Sequence, residues 1–152
     1  MKNLLKFNSL GLFITLCFSF LFLTSCEKSK VVDETELPTS SQRFIWEHFP
    51  GSRIIQVNRE IDDLKLTYEV YLDSGYELEF NRKGENISIK SNRNQAIPSS
   101  AIPARISQYV QSEFPDLVIV EWELETTTQE IKLSNGMELV FSKTGEFIRI
   151  DN

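Results

Sequence analysis

The chain has 152 residues, with 16 basic and 22 acidic side chains and a net charge of −6. That balance disfavours nucleic acid and anionic lipid head groups as partners, because both repel a negative surface. With one histidine and two cysteines, the chain has little material for a metal cluster or a disulfide framework.

Lys2 and Lys6 precede an apolar run from Leu10 to Leu23. The run is shorter than the roughly 20 residues of a membrane span and suits the h-region of an export signal. Leu23-Thr24-Ser25-Cys26 resembles the bacterial lipobox, which implies cleavage before Cys26, lipidation of its thiol and an address in the cell envelope. Residues 1–25 are then signal peptide. Cys17 leaves with it, and the mature domain of about 125 residues has no free cysteine and must rely on its apolar core. Loss of Lys2 and Lys6 takes the charge to about −8. Residues 26–36 are polar apart from Val31 and Val32 and read as a tether. Glu27 and Lys28 do not select a membrane leaflet.

Leu37-Pro38 opens a first unit, residues 37–90. Phe44, Ile45, His48 and Phe49 form one helical face, Thr39, Ser40 and Ser41 are candidate N-caps, and Pro50-Gly51 ends the helix. Strands follow. Ile55 and Val57 share one side of the first, with Ile54, Gln56 and Asn58 on the other. Leu66, Tyr68, Val70 and Leu72 alternate with polar neighbours, as do Tyr76, Leu78 and Phe80. Residues 91–101 read as a polar linker. In a second unit, residues 102–152, Ile106, Tyr109, Val110 and Phe114 line a helix. Val118, Val120, Trp122 and Leu124, then Ile131 and Leu133, then Met137, Leu139 and Phe141, then Ile148 and Ile150 mark strands.

The two units echo each other. Leu72, Gly75, Leu78, Phe80 and Gly84 match Leu133, Gly136, Leu139, Phe141 and Gly145 at a constant offset of 61. The expectation is an α+β fold of two tandem repeats, each one helix packed on a four-stranded antiparallel sheet. Periodicity is compatible with one continuous sheet or with two lobes.

The order of helix, Phe-Pro-Gly or Phe-Pro-Asp, the Tyr68–Phe80 hairpin and a trailing glycine, seen twice, resembles the PepSY-like lipoproteins of Bacteroidetes. Those are similar in architecture to the β-lactamase inhibitor protein. The chain departs from the family's tryptophan and aspartate positions, which here hold Asn86 and Phe147, and Asn81 and Ser142. The resemblance implies a binding or inhibitory role in the envelope, with a peptidase or other hydrolase as target.

The residues themselves offer no catalyst. His48 lacks a nucleophile or acid partner, and its counterpart is Glu113. No EF-hand spacing, HExxH, phosphate loop, GxSxG or CxxC occurs, so no cofactor is implied. Asp62-Asp63 reads as a hairpin loop. Glu121, Glu123 and Glu125 alternate along one strand and should simply ionise in solvent, which makes them weak candidates for a divalent cation. Trp122 belongs inside, and Trp46 lies off the helix's main apolar stripe.

The sheet face opposite the helices is the expected binding surface. Lys65, Glu69, Tyr71 and Glu77 fall there in the first unit, and Ile119, Lys132, Phe147 and Arg149 in the second. The reading is a non-enzymatic, lipid-anchored protein that docks another envelope protein on this face and touches membrane only through its lipid. The alternative is a small-ligand or cation module built on the acidic face of the second unit.

Overall fold

The computed structural model describes residues 29–62 and 65–151. The apolar leader, Cys26, Asp63 and Leu64 lie outside them. Helices α1 (Thr39–His48) and α2 (Ala104–Glu113) accompany nine strands: β1 (Lys30–Val32), β2 (Ile54–Asp62), β3 (Lys65–Leu72), β4 (Tyr76–Asn81), β5 (Asn86–Ser91), β6 (Ile119–Leu124), β7 (Thr128–Leu133), β8 (Glu138–Ser142) and β9 (Phe147–Asp151). The strands form one sheet in chain order, each antiparallel to its neighbour. The fold is therefore mixed, with both helices laid on one face of a single nine-stranded sheet, rather than on two separate four-stranded sheets.

The join is the pairing of β5 with β6, where Ile89 faces Trp122 and Lys90 faces Glu121. Ile89 and Trp122 belong to the core that also holds Ile45, Phe49, Ile106 and Val110 from the helices and Val70, Leu78, Phe80, Ile131, Leu139 and Phe141 from the strands. Each such side chain contributes about 1.5–3 kcal/mol when taken from water. Trp122 sits inside as expected, its Nε1 donating to buried Gln129 Oε1 at 3.0 Å.

Pro38 and Pro103 set the helix starts, with no side-chain cap at either. Ser40 instead donates its hydroxyl to Lys83 O at 2.8 Å. Both helices stop where a phenylalanine N–H, of Phe49 or Phe114, bonds the carbonyl of Ile45 or Val110 before a proline. Matching edge-on contacts pin them to the sheet: Phe44 to Phe80 with centroids 5.8 Å apart, and Tyr109 to Phe141 at 5.4 Å.

Two segments read as a polar tether and a polar linker are packed. Within the expected tether, Lys30–Val32 pairs with β2, and Val32 packs against the core. Within the expected linker, Ile97 and Ala101 are buried and Ile97 N–H bonds Ile119 O. In each case a few apolar side chains in polar surroundings suffice once a neighbouring strand supplies their partners.

Four bulges punctuate the sheet. Register shifts between Ile54 and Gln56 and again between Ile119 and Glu121, and likewise between Glu79 and Phe80 and between Val140 and Phe141. A bulge adds one residue to a strand and breaks its two-residue alternation.

Candidate functional site

The face of the sheet away from the helices is open, and its side chains fall in two rows that cross the strands. One row runs Asn58, Glu69, Glu79, Ser88, Glu123, Glu130, Val140 and Arg149. The adjacent row runs Gln56, Tyr71, Glu77, Lys90, Glu121, Lys132, Glu138 and Asp151. Both rows continue without a break across the β5–β6 join, so the face belongs to the whole sheet.

The rows differ in charge logic. In the second, opposite charges alternate from Glu77 to Glu138, before Glu138 meets Asp151: Lys90 Nζ lies 3.3 Å from Glu121 Oε1, and Lys132 Nζ lies 2.9 Å from Glu138 Oε1. In the first, glutamates stand directly opposite glutamates, Glu69 against Glu79 and Glu123 against Glu130. Like charges in that position destabilise a sheet. Asn58 Nδ2 donates to Glu69 Oε2 at 2.9 Å, the row's one side-chain donor to these carboxylates among the described residues.

Titration follows from burial first and then from this crowding. Burial, with the nearby Glu123, Glu60 and Glu69 carboxylates, raises Glu79 above the ordinary range despite help from Thr67. Burial and then Glu69 raise Glu77. Burial, with Glu125, Glu121 and Glu130, raises Glu123 against the pull of Lys90. Glu123 is thus part-buried and held above the ordinary carboxylate range, where the sequence reading expected a solvated side chain. Tyr71 is held protonated well above its usual range, first by burial and then by Glu69, Glu77 and Glu60. Lys90 is raised because the carboxylates around it, Glu121 first, outweigh its own burial.

Among the expected site residues, Glu69, Tyr71, Glu77, Lys132 and Arg149 do share this face, with Lys65 exposed at the β2–β3 hairpin end. Two do not. Ile119 is buried in the helix-side core opposite Leu133, and Phe147 stacks on Tyr109 of α2 with centroids 4.8 Å apart and planes 11° apart. Both corrections have one cause. Strict alternation gives Ile119 the side of Glu121 and Phe147 the side of Arg149, and in each strand a bulge lies between the two. Ile54 is displaced to the core side by the corresponding bulge in β2. Among the weak cation candidates, Glu125 lies past the end of β6, and Glu121 is bridged to Lys90. Among the described residues, no three His, Cys, Asp or Glu side chains are arranged to hold a metal.

Reading the sequence alone missed Glu138, Ser88 and Lys90 as members of ordered rows. The signal for Lys90 was present, since it follows Ile89 in a short alternating strand; its pairing with Glu121 needed the β5–β6 join. His48 has a structural place, its ring 4.4 Å from Phe44 and its Nδ1 3.1 Å from Ser100 Oγ. Trp46 is 77% exposed on α1, on the other side of the molecule from the rows.

The chain is similar to a family model and to solved structures from Bacteroides. A family model described as "Putative beta-lactamase-inhibitor-like, PepSY-like" matches residues 66–149. A "putative periplasmic protein" of Bacteroides vulgatus is similar at 32% identity and a TM-score of 0.74, covering 82% of this chain and 98% of its own. A second B. vulgatus protein, described as a "putative periplasmic protein of unknown function", has 32% identity, a TM-score of 0.76 and coverages of 82% and 99%. A "putative calcium-regulated periplasmic protein" of Bacteroides thetaiotaomicron has 34% identity, a TM-score of 0.76 and coverages of 82% and 97%. No curated protein matches the chain. With the hairpins, the helix-on-sheet layering and these likenesses together, the chain belongs to the PepSY-like, beta-lactamase-inhibitor-like family.

Proposed function

We propose that this is a non-enzymatic envelope protein, lipid-anchored through Cys26, whose open sheet face docks a cationic surface of another protein. The observation that carries the reading is the row of Glu69, Glu79, Glu123 and Glu130, in which carboxylates face carboxylates, flanked by Tyr71. Part-buried carboxylates whose own fold offers few cations gain most from a partner's lysines or arginines, and a tyrosine beside them supplies apolar contact. The family's inhibitor-like character favours a peptidase or other hydrolase as the partner, held without bond chemistry. Periplasmic relatives favour the envelope address. The recurrence of bulges, glycine turns and helix contacts at offsets of 61 and 65 supports a tandem-repeat origin, in which joining two sheets widened this face.

Capture from envelope extract on immobilised protein tests the reading. Glu79→Lys/Glu123→Lys should lose the captured partner, while Phe147→Ala and Trp46→Ala, which alter the helix side, should retain it. Equal capture by all variants would sink the proposal. A second reading, a divalent-cation module, is favoured by the calcium-regulated description of the 34% identical relative and by the Glu123–Glu130 pair. Calorimetric titration with calcium separates the two: heat that disappears in Glu123→Lys supports the cation reading, and no heat removes it.

A further inference from the structure

The sheet has two edges, and the chain treats them differently. One is β1, three residues long, and such brevity is a common way of blunting an edge. β1 lies on β2 as β5 lies on β6. Val32 faces Val57 where Ile89 faces Trp122, and Val31 faces Asn58 where Ser88 faces Glu123. The same edge position is thus closed twice, in one register.

The other edge is β9. Its Arg149, Ile150 and Asp151 stand where β5 has Ser88, Ile89 and Lys90, on the matching rungs against β8 and β4. Among the described residues no strand covers the outer side of β9. The consequence is visible in the side chains: Ile89 is fully buried beside β6, whereas Ile150 is 44% and Ile148 51% exposed. β9 carries no proline or lysine, its bulge falls at Ile148 ahead of Arg149, Ile150 and Asp151, and its one cation, Arg149, is bonded to Asp151 at 2.6 Å. An edge strand left open is a template for another strand.

We infer that the outer edge of β9 pairs with the β9 edge of a second copy of this chain, antiparallel, about a two-fold axis at Ile150. Charge selects both occupant and register. With the axis at Ile150, Arg149 lies opposite Asp151 of the second copy, Asp151 lies opposite its Arg149, and the two Ile150 side chains meet on the helix side. Moving the axis to Arg149 sets guanidinium against guanidinium, and moving it to Asp151 sets carboxylate against carboxylate; both are unfavourable across a strand pair. A two-fold interface asks that one surface complement itself, and Arg-Ile-Asp does so. The axis stands perpendicular to the sheet, so both open faces lie on the same side and form one wider surface. The pairing itself does not depend on what that face binds.

Disulfide trapping in the protein isolated from the cell envelope tests the register, with the parent protein as background. Directly opposed residues of an antiparallel pair have Cα atoms about 4.5–5.5 Å apart, within the roughly 4.4–6.8 Å that a disulfide spans. Ile150→Cys should therefore give a disulfide-linked dimer on mild oxidation. Arg149→Cys should not, since its copies would be diagonal neighbours about 7–8 Å apart. Sedimentation supplies an independent arm. Arg149→Asp alone should lose the dimer, and Arg149→Asp with Asp151→Arg should recover it. A parent that sediments as a monomer at every concentration, equal trapping at positions 149 and 150, or failure of the charge swap to restore association would each overturn the inference.

Discussion

Gly84 shows how much a single position can carry. It closes the turn after β4 with φ of +78°, and a Cβ there would come within 2.7 Å of Pro38 Cβ and 2.2 Å of Ser40 Oγ. The first turn of α1 rests on it. Gly136 has a similar φ of +89° but open space around it. Gly136→Ala should cost about 1–2 kcal/mol from the left-handed backbone alone. Gly84→Ala should add about 1–3 kcal/mol of overpacking to that. Chemical denaturation of the two variants checks the difference, and equal losses would mean that α1 does not need this close approach. Glu79 works in the opposite sense. Its raised carboxyl is a cost of the crowded row at neutral pH, so Glu79→Gln should raise the melting temperature at pH 7 and leave it nearly unchanged near pH 4, about where glutamate is protonated anyway.

Among elements, β5 and β9 make a natural pair for comparison. They hold corresponding places in the two halves, but β5 is central and β9 is terminal. Ile89→Ala should cost about 2–5 kcal/mol, as a fully buried isoleucine does. Ile150→Ala should stay within about 0.5 kcal/mol in the monomer, as at an ordinary surface site. Equal losses by urea unfolding at low protein concentration would show that β9 is covered even in the single chain. The same comparison explains why Ile148 and Ile150, apolar in sequence, are not core: their strand has a neighbour on one side only.

Taken whole, the molecule balances two sets of carboxyls. Asp33 and Asp73 are lowered by hydrogen bonds, from Thr35 and from Arg53 respectively, and so favour the fold above the ordinary aspartate range and lose that contribution as pH falls. Glu77, Glu79 and Glu123 are raised, so the folded chain binds more protons than the unfolded one as pH drops through their range, and the fold gains stability there. The denaturation midpoint should therefore climb from pH 7 to about pH 5 and fall below about pH 4. A midpoint that declines steadily from pH 7 downward would show that the glutamate row is not strained.

Most of the elements were legible in the chain. Phe44, Ile45 and Phe49, and Ile106, Tyr109 and Val110, gave the helices; Pro38, Pro50, Pro103 and Pro115 bounded them; alternation from Leu66 to Phe80 and from Ile131 to Phe141 gave the hairpins around Gly75 and Gly136. These follow from spacing and backbone preference, which act within a few residues. Tyr71, Glu69 and Glu77 fell correctly on the open face for the same reason. Ile119 and Phe147 did not, because a bulge is fixed by the partner strand's register and leaves no mark in its own strand's pattern. The fusion of two sheets at Ile89 and Trp122, the capture of Val32 by β2 and the bare edge at Ile150 likewise depend on which strand lies alongside. Local sequence determined what each segment is. Only the tertiary structure decided which strands lie side by side and where a bulge turns a residue to the other face, because pairing, burial and charge compensation are properties of neighbours.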